Sequence, residues 1–195
     1  MTIVYIHGHG ATPNSFNFLR ENIKGDSISL EYDSTDGFAG NLARMFDEIK
    51  NFDRVFFIGH SLGGLYALHL AFALSDRALG GVTMATPYGG SSAALMLSMM
   101  FPQQLYRDIN PTAAPIIDGI NINLAGVPWT AIITMKGHSK FMATANDGVV
   151  TQVSMRARSG AKFVEVQSNH HEVTQSYASL SIIKDAIYYS KLAVA

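Results

Sequence analysis

The 195-residue sequence contains no cysteine, which excludes disulfide staples and thiolate metal sites. It has little charge of either sign. Fourteen basic against fifteen acidic side chains leave a net −1, so no overall field draws the chain to nucleic acid or to an anionic membrane. Long apolar runs are missing as well: the stretches 62–74 and 93–101 are too short to span a bilayer, and no stable membrane insertion is expected. Residues 2–6 (Thr-Ile-Val-Tyr-Ile) are apolar with no basic segment ahead of them, so a cytoplasmic protein is expected. No repeat, low-complexity tract or linker divides the chain, which points to one domain over residues 1–195.

What is present suits a packed enzyme-sized core, since 48% of the residues are hydrophobic. Short apolar runs alternate with longer amphipathic ones. Strands are predicted at 2–6, 27–31, 54–58, 80–85, about 130–135 and 162–167. Helices are predicted at 15–24, at 62–75 and from about 172 to 191, and through the stripe Ala39, Leu42, Ala43, Phe46 and Ile49. This alternation implies an α/β fold: a mostly parallel sheet of about six strands joined by right-handed crossovers, with helices on both faces. Residues 86–129 hold five of the six prolines and are expected to be irregular, with one or two short helices, one of them at 93–101.

One pentapeptide carries chemistry. Gly59-His60-Ser61-Leu62-Gly63 fits G-x-S-x-G, between a predicted strand and a predicted helix. A serine at the tip of so tight a turn stands in strained backbone, and glycines two residues away avoid a clash. The helix behind it presents free N–H groups and a positive dipole end. The plainer reading is a helix N-cap serine followed by a packing glycine pair. The strand-before, helix-after context favours Ser61 as a nucleophile.

Ile6-His7-Gly8-His9-Gly10 and Gly59-His60-Ser61-Leu62-Gly63-Gly64 together resemble the α/β-hydrolase superfamily, and the opening at 7–18 is similar to that of small bacterial lipases and esterases with little or no lid. The resemblance is weak between 88 and 129. It implies a three-layer fold with a small cap or none, and the chain order serine, acid, histidine. Asn146-Asp147-Gly148-Val149-Val150 resembles the segment that carries the family's acid, which implies Asp147; the plainer reading is an Asp-Gly turn. Asp108 and Asp118 are rivals tied to no strand end. The late histidines are His170 and His171, and the family pattern favours His170 as the base, with His171 starting the helix or bordering the site. The oxyanion donors implied are the backbone N–H groups of His9 and Leu62.

The other histidines read as structural: His7 and His60 bonded to backbone, His69 in a helix, His138 in a loop. A His7-x-His9 metal pair lacks a third ligand at suitable spacing, so no metal and no cofactor is expected. Tyr88, Met96, Met99 and Met100 are candidates for the substrate groove, Met adapting to irregular ligands; a small helix covering the core is the plainer reading of the methionines. The expected partner is a small-molecule or lipid-like ester, cleaved through an acyl-enzyme. A thioesterase, amidase or acyltransferase on the same residues remains open, as does a non-catalytic binding protein.

Overall fold

The computed structural model describes residues 1–33, 35–91, 104–124, 126–140 and 142–193. Six strands form: β1 (Thr2–Ile6), β2 (Ser27–Leu30), β3 (Val55–His60), β4 (Ala78–Met84), β5 (Trp129–Thr134) and β6 (Lys162–Val166). They pair in the order β2-β1-β3-β4-β5-β6, every pair parallel. The order reverses at β1. The chain steps outward to β2, returns across β1 to β3, and then proceeds in one direction. Ile6 stands opposite Gly59, so the loops leaving β1 and β3 depart side by side from the carboxyl edge. That is where open α/β sheets receive their ligands.

The interior strands β3 and β4 are buried at every residue. Helices pack against both strands, and burial throughout lets them read as continuous apolar runs without alternation. The edge strand β6 is buried only at Val166 and keeps a charged, exposed outer side, which blunts further pairing.

Seven α-helices follow the described chain: α1 (Asn17–Asn22), α2 (Phe38–Ile49), α3 (Leu62–Leu74), α4 (Gln104–Asp108), α5 (Ala114–Asn121), α6 (Gln152–Met155) and α7 (Tyr177–Leu192). Ten of the 13 residues of α3 are buried, because it packs on β1, β3 and β4 while α2 and α5 cover it. A helix apolar on all sides must be enclosed in this way. The irregular stretch contains α4 and α5, as its prolines suggested. The helix expected at 93–101 lies outside the described residues.

Helix α2 corrects one expectation. Its buried face is Phe38, Asn41, Met45 and Ile49, while Ala39 and Ala43 are exposed. The stripe is turned because Asn41, a polar residue, is drawn inward: its side chain accepts from Asp33 N–H at 3.1 Å and donates to Asp33 O at 2.9 Å. A buried amide satisfied by backbone costs little, so hydrophobicity alone misplaces the face.

Candidate active site

Ser61 lies between β3 and α3, with φ 52° and ψ −124°. Non-glycine residues seldom hold such a conformation, which costs about 1–3 kcal/mol and persists only where its surroundings enforce it. Here they do. Ser61 N–H donates to Met84 O at 2.8 Å, and Gly64 N–H donates to Ser61 O at 3.0 Å. The next turn has no room for side chains: a Cβ on Gly63 would fall 2.0 Å from Ile6 O, and one on Gly64 would fall 1.9 Å from Thr86 Oγ1. Helix α3 therefore sits flush on the ends of β1 and β4. Its first residue, Leu62, has an N–H without an intrahelical acceptor, at the positive end of the helix.

The loop after β1 closes against this turn. A Cβ on Gly8 would stand 3.1 Å from Ser61 Cβ, so the loop packs closely on the serine. Ala11 N–H donates to Gly8 O at 3.1 Å, which puts His9 at the exposed corner of a tight turn. The His9 ring meets Tyr106 of α4 edge-on at 5.3 Å, with Nε2 3.2 Å from the tyrosine hydroxyl.

On the neighbouring side, Asp147 and His170 form a buried pair. His170 Nδ1–H donates to Asp147 Oδ2 at 2.8 Å; the Asp147 side chain is fully buried and that of His170 nearly so. This donation leaves the lone pair on Nε2, the nitrogen that can take a proton. The two carboxylate oxygens of Asp147 are engaged differently. Oδ1 accepts from the turn's own Val149 and Val150 N–H groups at 3.0 and 2.8 Å, while Oδ2 serves His170. Burial pushes the Asp147 carboxyl upward, yet the hydrogen bonds from His170, Thr134 and Val150 together hold it below the usual carboxylate range.

Thr134, at the end of β5, is the residue that sequence reading missed. Its hydroxyl donates to Asp147 Oδ2 at 2.5 Å, beside the histidine's bond. A threonine in a strand looks like any β-branched core residue, so nothing local marks it. Gly137 was also unmarked. It has φ 121°, and a Cβ there would lie 2.2 Å from the Asp147 carbonyl.

Among the described residues no hydrogen bond links the Ser61 hydroxyl to the His170 ring. Their loops are joined one residue earlier, where His60 Nε2–H donates to His170 O at 2.8 Å. The two imidazoles stand 4.9 Å apart. His171 is exposed, its ring edge-on to His170 at 5.3 Å.

The remaining candidates fall as follows. Asp108 caps α2 from a distance, Oδ2 accepting from Phe38 N–H at 2.7 Å, and Asp118 is exposed on α5. His7 donates to Gly8 O and stacks on Tyr32, His69 bonds Pro115 O, and His138 lies exposed in a loop. Tyr88 is only 1% exposed, with its hydroxyl held by Thr83 and by Trp129 Nε1–H; it belongs to the core and leaves no surface for a groove. Met96, Met99 and Met100 lie outside the described residues. Among the described residues no cluster of three potential ligands could hold a metal ion, and no helix is long and apolar enough to cross a membrane.

No family profile matches the sequence, and no curated protein is similar to it. Solved structures do match. A lipase of Bacillus licheniformis in its mature form superposes with a TM-score of 0.70 at 14% identity, over 94% of this chain and 90% of that one. An alpha/beta superfamily hydrolase of Oenococcus oeni gives a TM-score of 0.70 at 15% identity, over 98% and 93%. The enol-lactonase of Burkholderia xenovorans gives 0.63 at 14%, over 96% and 91%.

Proposed function

We propose that this chain, which has the α/β-hydrolase fold, is a serine hydrolase that cleaves carboxylic esters of short to medium chain. The observation that carries this reading is the buried Asp147–His170 bond of 2.8 Å, set on the same sheet edge as a serine in strained backbone. Such pairing of an acid with an imidazole beside a rigidly presented hydroxyl is what nucleophilic acyl transfer requires. Structures of similar fold include a lipase and an enol-lactonase, both of which act on ester linkages by name.

In the proposed cycle Ser61 Oγ attacks the ester carbonyl carbon as its proton passes to His170 Nε2. The imidazolium is stabilised by Asp147, and the oxyanion is received by the N–H groups of His9 and Leu62. Each such donor is worth about 3 kcal/mol in acyl transfer. Collapse of the adduct breaks the bond to the leaving alkoxide, which takes the proton back from His170. Water then attacks the acyl-enzyme with His170 again as base, releasing the acid and restoring Ser61. The chemistry needs no group beyond these side chains and the backbone.

The test is a series of p-nitrophenyl esters of increasing chain length, together with labelling by a fluorophosphonate. Ser61→Ala should abolish both, and His170→Ala should abolish labelling while His171→Ala retains it. Retention of most hydrolysis by Ser61→Ala would overturn the reading. Faster turnover of thioesters or amides than of esters would reassign the substrate class on the same residues.

A further inference from the structure

We propose that His60 is a positioning residue for the base, its Nε2–H bond to the His170 carbonyl fixing where that imidazole stands relative to Ser61. The inference rests on the reading of Ser61 and His170 as nucleophile and base, and adds a residue that G-x-S-x-G leaves unspecified.

Among the described residues His170 makes three hydrogen bonds. Its N–H donates to Asp147 O at 3.3 Å, its Nδ1–H donates to Asp147 Oδ2 at 2.8 Å, and its carbonyl accepts from His60 at 2.8 Å. The first two bind it to the acid, whose loop follows β5. Only the third reaches the strand that ends just before Ser61, across 110 residues of sequence. Without it the acid–base pair would stay intact, yet nothing polar on His170 would hold that pair at a set distance from the serine.

The His60 ring suits this task and is costly for any other. It is 5% exposed and wedged between His170 and the loop after β1, with Nδ1 3.0 Å from the place where a Cβ on Gly8 would stand. Among the described residues Nδ1 itself has no hydrogen-bond partner. A buried, unpartnered nitrogen lowers stability, and an apolar side chain would avoid that cost. The ring is retained where only its other nitrogen is used. Burial first, and then the neighbouring His170, hold the His60 pKa down to about 3, so it remains a neutral donor while His170 gains and loses its proton. A second cation beside the imidazolium is thereby avoided.

The experiment compares His60→Gln, His60→Asn and His60→Leu with wild type by kcat and KM on one p-nitrophenyl ester, by the rate of fluorophosphonate labelling and by thermal unfolding. Gln carries its amide N–H₂ near the position of Nε2, whereas the shorter Asn stops near Nδ1. His60→Gln should stay within about threefold of wild type in kcat, while Asn and Leu should lose about a hundredfold at nearly unchanged KM, the scale of a misplacement near 1 Å. Folded Asn and Leu variants with wild-type kcat would overturn the inference, as would a folded Gln variant as slow as Asn. If Leu fails to fold, the Gln–Asn difference decides. Wild type that never labels at Ser61 would instead overturn the underlying hydrolase reading; labelling that is indifferent to His60 would sink this inference alone.

Discussion

Acid should weaken this fold through His60 before it begins to titrate the carboxylates. In an unfolded chain an imidazole titrates near 6.5, whereas in the native fold burial, then the nearby His170, push His60 down to about 3. The folded value is the lower one, so between these limits the unfolded state binds a proton that the native state refuses. Stability must fall as pH falls, by up to about 1.4 kcal/mol for each pH unit. From pH 7.5 to pH 5 the loss is about 2 kcal/mol, and across the whole interval about 5 kcal/mol, a large part of an ordinary domain's stability. The carboxyl of Asp147, held below its usual range, stabilises at higher pH and withdraws that contribution only under about pH 4, below the range from pH 7.5 to pH 5. Urea unfolding followed by circular dichroism at pH 7.5, 6 and 5, on wild type and His60→Gln, isolates the effect. The stability of wild type relative to the variant should drop by about 2 kcal/mol between the first and last pH. Parallel curves would show that His60 is not buried as a neutral ring, and the reasoning would fail.

Two further outcomes follow from the groups around the acid. Thr134→Val removes a 2.5 Å bond to Asp147 Oδ2 and should lower kcat about tenfold, part of the 1.5–3 kcal/mol that a hydrogen bond to a charged group carries, with Thr134→Ser restoring it in steady-state ester assays. Gly137→Ala, at φ 121° and facing the Asp147 carbonyl, should cost about 1–3 kcal/mol from backbone strain alone, with a lower unfolding temperature and a displaced acid that slows turnover; an unchanged melting curve would contradict it.

The legible parts of this protein are those whose physics is local. Strand spans followed from apolar runs, and Ser61 followed from a turn that only certain residues can make. Asp147 was singled out by family resemblance, while local chemistry alone announced only an Asp-Gly turn. What stayed hidden depends on partners far along the chain. Thr134 and His60 look like ordinary core residues until β5 and the His170 loop are brought beside their targets. Tyr88 looked like a groove residue because it follows β4, and nothing nearby announced that Trp129, 41 positions later, would hold its hydroxyl in the core. The α2 face was misread for a related reason: Asn41 is buried by a backbone partner, and periodicity counts only greasiness.

The strand order has a consequence for how such a molecule would fail. In the proposed mechanism the groups that attack the substrate arrive within the first 62 residues, and the groups that would manage the proton come after residue 133. The seam between these two slabs is the β4–β5 ladder, with four registered pairs against six for β3–β4. On that mechanism a slight parting there would silence turnover before the strands on either side came apart, so loss of turnover would be a more sensitive gauge of damage than loss of fold.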